Sequence, residues 1–168
     1  MPSPKDYKSS GVDIEVEEKS ISALVSVIKE TLHFRKGKIG SAIGGIGSFS
    51  GFIEFGDYAL SLATDGVGSK VLVAQKLRKY DTVGIDVIAM NVNDIICSGS
   101  MPIAFVDYIA LEKTSELILE EIGKGLLEGA KQSEMSIVGG ETATLPDIIK
   151  GDGDGFDLAG TCLGVVKK

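Results

Sequence analysis

Tyr58-Ala-Leu-Ser-Leu-Ala-Thr64, running straight into Asp65-Gly-Val-Gly-Ser-Lys70, decides the fold. The first seven residues have the apolar content of a strand, which Asp65 closes. Gly66-Val67-Gly68 then makes a tight turn, and the spacing of Val71, Ala74 and Leu77 predicts a helix. Strand, turn and helix in immediate succession point to a sheet covered by helices, an α/β or α+β sandwich.

Downstream, a second helix is predicted from Asp81 or Thr82, with Ile85, Ile88, Ala89, Val92, Ile95 and Ile96 on its buried side, until Gly99 stops it. Asp86, Met90, Asn93 and Asp94 share another stripe of the same helix, which stacks two carboxylates and an amide along one face. Ile103–Ala110 reads as a buried strand with Asp107 in its middle, a carboxylate that needs a partner. Ile118, Ile122, Leu126 and Ala130 mark a further helix; residues 137–141 and 158–166 read as strands. The order of elements leaves strand direction open.

Upstream, Ile21, Leu24, Val25, Ile28 and Leu32 form the apolar stripe of a helix over roughly residues 16–32, with Lys29 beside it. Residues 37–51 follow, so rich in glycine that a mobile loop is expected. Residues 1–14 are polar and carry Pro and Ser, the composition of an arm, and residues 15–168 form the expected domain.

With 168 residues and 43% hydrophobic composition, one core suffices. The 24 acidic residues outnumber the 17 basic ones, an excess that repels a polyphosphate backbone, so no nucleic-acid partner is expected. Arg35-Lys36-Gly37-Lys38 is too short a basic run to overturn this and reads as a solvated loop. Cys97 and Cys162 have neither zinc-ligand nor disulfide-framework spacing, which fits a reducing cytoplasm. The N-terminus lacks an apolar signal core, and no apolar run reaches the ~20 residues of a membrane helix.

Familiar phosphate motifs fail when tested. A P-loop would need glycine at position 63, where Ala63 stands. The dinucleotide pattern fails because Val71 and Ser50 occupy its third glycine positions. Asp152-Gly-Asp-Gly-Phe-Asp157 lacks the glycine and glutamate of a calcium loop and reads as a turn. His33 is the sole histidine, and no GxSxG accompanies it. What remains is a set of acids at element ends, Asp65, Asp86, Asp94, Asp107 and Glu141, beside glycine-rich backbone and at least one lysine. Two carboxylates ~4 Å apart repel by ~4 kcal/mol at an effective dielectric of ~20, so converging acids call for a cation. Mg²⁺ with a polyphosphate satisfies that demand: the cation takes hard oxygen ligands, glycine amides approach phosphate closely, and a helix start turns its positive dipole end toward it.

The ordered set Ser10-Gly-Val-Asp-Ile14, Gly44-Gly-Ile-Gly47, Thr64-Asp-Gly-Val-Gly-Ser-Lys70, Gly84-Ile-Asp-Val-Ile-Ala-Met-Asn-Val-Asn-Asp94 and Gly139-Gly-Glu-Thr-Ala143 closely resembles the aminoimidazole ribonucleotide synthetase family, the phosphoribosylformylglycinamidine cyclo-ligases. The likeness runs from about Tyr7 to Val166. It implies an α+β fold, an α/β sandwich whose mixed sheet is covered by helices on one face and dimerises through the sheet into a shared barrel. It implies ATP and Mg²⁺ as cofactors and ring closure of formylglycinamidine ribonucleotide, through phosphorylation of the formyl oxygen, to aminoimidazole ribonucleotide, ADP and phosphate. On the matching positions, Asp65 and Asp94 correspond to the metal carboxylates, and Lys29 and Asp94 to residues acting near the reaction. Gly44, Gly45 and Gly47 correspond to a loop that closes over substrate, and Gly66, Gly68, Lys70, Glu141 and Thr142 to the nucleotide pocket.

Ser69 stands where the family usually has threonine, and Thr144-Leu145 where it usually reads Glu-Met. The family carries a second α/β domain after this one, so a homodimer completed by that domain, or by a separately encoded partner, is expected. Two alternatives accompany this reading. One is a sister ATPase of the selenophosphate, thiamine-phosphate or hydrogenase-maturation type; the other is a non-catalytic nucleotide-binding dimer.

Overall fold

The computed structural model describes residues 13–168; most of the expected arm, with the start of the Ser10–Ile14 motif, lies outside the described residues. In chain order the protein forms α1 (Ile14–Ile28), a 3-10 turn (Lys29–His33), β1 (Ala42–Ile43), β2 (Gly51–Phe55), β3 (Tyr58–Gly66), α2 (Lys70–Leu77), α3 (Asp81–Cys97), β4 (Met101–Leu111), α4 (Glu116–Gln132), β5 (Ser136–Thr144) and β6 (Phe156–Lys167). The six strands make one mixed sheet in the order β1-β2-β3-β6-β4-β5. Only β4 and β5 run parallel. A parallel neighbour demands a crossover, and α4 supplies it.

Period-two alternation sets one face of the sheet inward. Phe156, Leu158 and Cys162 of β6, Ala59, Ser61 and Ala63 of β3, and Phe105, Ile109 and Leu111 of β4 are buried. Against them lie Val87, Ile88 and Ile95 of α3 and Ile118, Ile122 and Leu126 of α4. Each of the larger side chains contributes about 1.5–3 kcal/mol by leaving water. The opposite face keeps Phe55, Tyr58, Leu62, Val106 and Tyr108 exposed. The expected mixed sheet with helices on one face is the architecture found.

Close backbone approach fixes how α3 meets α4. A methyl group added at Gly125 would lie 1.8 Å from the Asp81 carbonyl oxygen, and one at Gly84 would lie 2.4 Å from the Leu126 nitrogen. This contact turns the buried face of α3 away from the one its apolar residues suggest. Val83, Gly84, Val87, Ile88, Asn91 and Ile95 are buried, whereas Ala89 and Ile96 are exposed. Hydropathy overlooks Gly84 and Asn91 because neither counts as apolar, yet one permits the helix contact and the other reaches into the sheet.

Two further segments depart from expectation. Residues 37–51 are not wholly loop: Ala42 and Ile43 pair with Ile53 and Phe52, and Glu54 exchanges backbone hydrogen bonds with Gly40 and Ser41. The strand β2 beyond them, Gly51–Phe55, is an element outside the expected set. The first helix ends at Ile28, where tighter 3-10 geometry takes over, and α1 buries none of its residues. Asp13 caps its start by accepting from the Val16 N–H at 3.3 Å. Among the described residues no helix is long and apolar enough to cross a membrane.

Candidate functional site

The strand-turn-helix unit forms as its sequence dictates. β3 ends at Gly66, and the Val67 N–H donates to the Leu158 carbonyl at 2.9 Å, seating the turn on β6. Gly68 has φ +68°, a conformation that costs other residues more, and it lets the chain reverse into α2 at Lys70. Ser69 occupies the cap position without a side-chain hydrogen bond, so its hydroxyl is not what starts the helix.

Asp65 is partly buried on the inner face of β3. Its Oδ1 accepts from the Gly66 N–H at 2.7 Å. Asn91 of α3, with no exposed surface, holds its backbone: Asn91 Oδ1 accepts from the Asp65 N–H at 3.0 Å, and Asn91 Nδ2 donates to the Asp65 carbonyl at 3.2 Å. Three residues further along α3 stands Asp94, also partly buried. One turn beyond it, the Ser98 hydroxyl donates to the Asp94 carbonyl at 3.0 Å and accepts from the buried Ser50 hydroxyl at 2.7 Å. The downstream end of the glycine-rich loop is therefore pinned to the helix that carries Asp94.

At the other end of α3, Asp86 binds the Lys70 ammonium at 2.9 Å, with both side chains substantially exposed. Asp86 is thus the partner of a candidate phosphate-binding lysine. Along α3 the structure gathers Lys70 with Asp86, Asp65 with Asn91, and Asp94 with Ser98 and Ser50.

Other predicted residues stand apart from this line. Gly44, Gly45 and Gly47 line an apolar pocket of about 260 Å³ with Leu32, Ile43, Phe52 and Leu62, and none of Asp65, Lys70 or Asp94 borders it. Lys29 is exposed on the 3-10 turn, and no hydrogen bond or ion pair joins it to Asp94. Glu141 and Thr142 lie on β5, in register with Tyr108 and Ile109 of β4. That strand is three places from β3, about 14 Å at the usual strand spacing. Glu141 shares the outer face with Tyr108, and Thr142 the inner face with Ile109.

Asp107 belongs to the same cross-strand row as Asp65, since both pair with Gly160 of β6. Burial pushes its carboxyl above the ordinary value. A methyl group at Gly140, its partner on β5, would lie 2.5 Å from Asp107 Oδ1. Glycine at position 140 therefore leaves room for that carboxylate. Thr144, one of the departures from the family pattern, shares a 2.8 Å hydrogen bond with the Thr114 hydroxyl at the end of the parallel pair.

The family described as AIR synthase related protein, N-terminal domain, matches residues 47–166. The chain belongs to this family. Among curated relatives it is 59% identical over 162 residues to the phosphoribosylformylglycinamidine cyclo-ligase of Methanosarcina acetivorans, covering 96% of this chain and 46% of that one. To the enzyme of the same name from Pyrococcus furiosus it is 50% identical, with 96% and 47% covered. The chain spans about half the length of the curated relatives it matches. Among solved structures it superposes on AaThiL complexed with AMPPCP and TMP, with a TM-score of 0.65 and 21% identity, over 86% of this chain and 41% of that one. At that identity the likeness shows a shared fold alone.

Family membership gives the motifs a common setting. Among the described residues no three of His, Cys, Asp or Glu stand close enough to hold a metal by themselves. Asp65 and Asp94 each offer a hard carboxylate oxygen, a donor type that Mg²⁺ accepts while keeping waters and substrate phosphates for most of its coordination sphere. Sequence reasoning passed over Asn91, although an amide between Val87, Ile88 and Ile95 on a buried helix face is the available signal.

Proposed function

We propose that this chain is the nucleotide-handling and dimerising half of an ATP-dependent cyclo-ligase that closes the imidazole ring of formylglycinamidine ribonucleotide in purine biosynthesis, working in the cytoplasm. One observation carries the reading: the Asp65-to-Lys70 turn is fastened to the α3 helix bearing Asp86 and Asp94, in a chain 59% identical to cyclo-ligases.

In this reading Asp65 and Asp94 are the metal ligands, and Mg²⁺ when bound neutralises charge on the phosphates. Lys70 adds a positive charge at the start of α2, while the Gly66 and Gly68 backbone lets phosphate come close. Asp86 keeps the Lys70 ammonium near the turn when no phosphate competes for it. The loop of Gly44, Gly45 and Gly47 closes over substrate from its anchor at Ser50, and Lys29 and Asp94 act at the reacting centre. Glu141 and Thr142 serve the far end of the nucleotide pocket, which then spans several strands. The remaining half of the relatives' length supplies the second domain that completes this site. Two copies pair through the exposed sheet face into a shared barrel.

Calorimetric titration with AMPPCP, with and without Mg²⁺, tests the proposal. Binding that requires Mg²⁺ and is lost in Asp65→Asn and in Asp94→Asn is the expected result. Affinity indifferent to Mg²⁺ and to both substitutions would overturn it.

A further inference from the structure

We infer that Asn91 is the positioning residue of the Asp65 metal ligand, acting as a one-residue substitute for a neighbouring strand. The inference rests on the proposed role of Asp65 and goes beyond it.

The sheet shows why such a substitute is needed. β2 pairs with β3 only as far as Leu62, opposite Gly51. From Ala63 onward β3 has β6 on one side and, among the described residues, no strand on the other. A strand end with a bare edge leaves one N–H and one C=O unpaired at alternate residues, a costly state in a partly buried position and a loose one in an open position. At Asp65 the primary amide of Asn91 fills both vacancies, receiving the N–H at 3.0 Å and donating to the C=O at 3.2 Å. A carboxamide is suited to this because it presents one acceptor and one donor side by side, as the backbone of a strand does. Its second N–H goes to the Val87 carbonyl at 2.9 Å, which locks the side chain to its own helix. The amide therefore has no freedom left, and with it Asp65 has little.

The consequence is geometric. Asp94 follows Asn91 by three residues on the same rigid helix, so the clamp fixes the Asp65 backbone relative to the helix that carries the second acid. One Asp65 oxygen is already held by the Gly66 N–H, so the direction of the other follows from the backbone orientation that Asn91 sets. Ligands held this way bind a cation without first being ordered, which is why residues behind a metal's ligands commonly change its affinity 10- to 100-fold.

Asn91→Thr isolates the clamp. A threonine hydroxyl in a helix bonds the carbonyl four residues back, here Val87, but cannot span both backbone groups of Asp65. AMPPCP binding is titrated calorimetrically over a series of Mg²⁺ concentrations, well below the thermal midpoint of each protein, and amide exchange at Asp65 is followed in parallel. The expected result is a half-maximal Mg²⁺ requirement raised by at least about 10-fold, with faster exchange at the Asp65 amide. Asn91→Leu, which also loses the Val87 bond, should show at least as large a rise; if it fails to fold, the threonine variant decides alone. A variant that is less stable but binds at the wild-type Mg²⁺ requirement would overturn the inference and leave the proposed function standing. Wild-type binding that ignores Mg²⁺ would sink both together.

Discussion

Asp107 sits on the inner face of β4 with Gly140 stripped of a side chain to accommodate it, and no side chain among the described residues pairs with its carboxyl. Burial raises its pKa. A carboxyl whose folded pKa lies above its unfolded value weakens the fold when ionised. The penalty is therefore full above the folded pKa and is relieved as pH falls through it. Asp107→Asn should raise the thermal midpoint near neutral pH, by an amount limited by the partial burial of the side chain, about 1 kcal/mol or less. The advantage should shrink as the pH drops into the ordinary carboxylate range near ~4. Thermal melts by circular dichroism at a series of pH values check this; a difference that stays constant with pH would mean the carboxyl's charge is not what the fold resists.

Among elements, the α3–α4 contact gives the sharpest contrast. Gly123 and Gly125 lie two residues apart on α4, yet a methyl group meets nothing within 4 Å at the first and the Asp81 carbonyl oxygen at 1.8 Å at the second. Gly123→Ala should therefore stabilise the protein by about 0.5–1 kcal/mol through helix propensity alone. Gly125→Ala should destabilise it by about 3 kcal/mol or more by forcing the helices apart. Urea unfolding midpoints of the two variants measure the difference, and a shift of the same sign in both would show that the close approach is absent.

The same contact explains which parts of the fold were legible in the sequence. β3, its turn and α2 could be read because period-two and helical spacing meet at Asp65-Gly-Val-Gly, where local chemistry leaves few options. The extent of α3 was equally plain, from Asp81 to the positive-φ Gly99. Its buried face was not, because the contact of Gly84 with α4 and the reach of Asn91 into the sheet are tertiary facts that hydropathy cannot express. β1 escaped because it lies in glycine-rich backbone with no propensity of its own and is held by pairing with β2, whereas β2, with Phe52, Ile53 and Phe55, carried a strand signal too short to stand out beside the glycine run. At the site, Asp65, Lys70, Asp86 and Asp94 could be named from the sequence, but the pairing of Lys70 with Asp86 and the bonds from Asn91 and Ser98 to the Asp65 and Asp94 backbone follow only once the elements are packed.

For the whole molecule, the sheet poses a question that one chain does not answer. Its inner face is sealed by α3 and α4, while Phe55, Tyr58, Leu62, Val106 and Tyr108 crowd the other face in the open. A contiguous apolar surface of that kind marks an interface rather than a solvated wall. The edges β1 and β5 are the strands that closure into a shared barrel would protect. A stable pair needs about 800 Å² from each partner, an area a six-stranded face can supply. Sedimentation equilibrium should accordingly report two chains per particle. Leu62 is 42% exposed at the centre of β3, so Leu62→Glu leaves the inner core untouched while placing a charge where the second copy would pack. The variant should sediment as a single chain with an unchanged far-ultraviolet spectrum. A wild-type protein that stays monomeric at micromolar concentration would instead assign this face to the other half of the relatives' length, and the barrel would have to be abandoned.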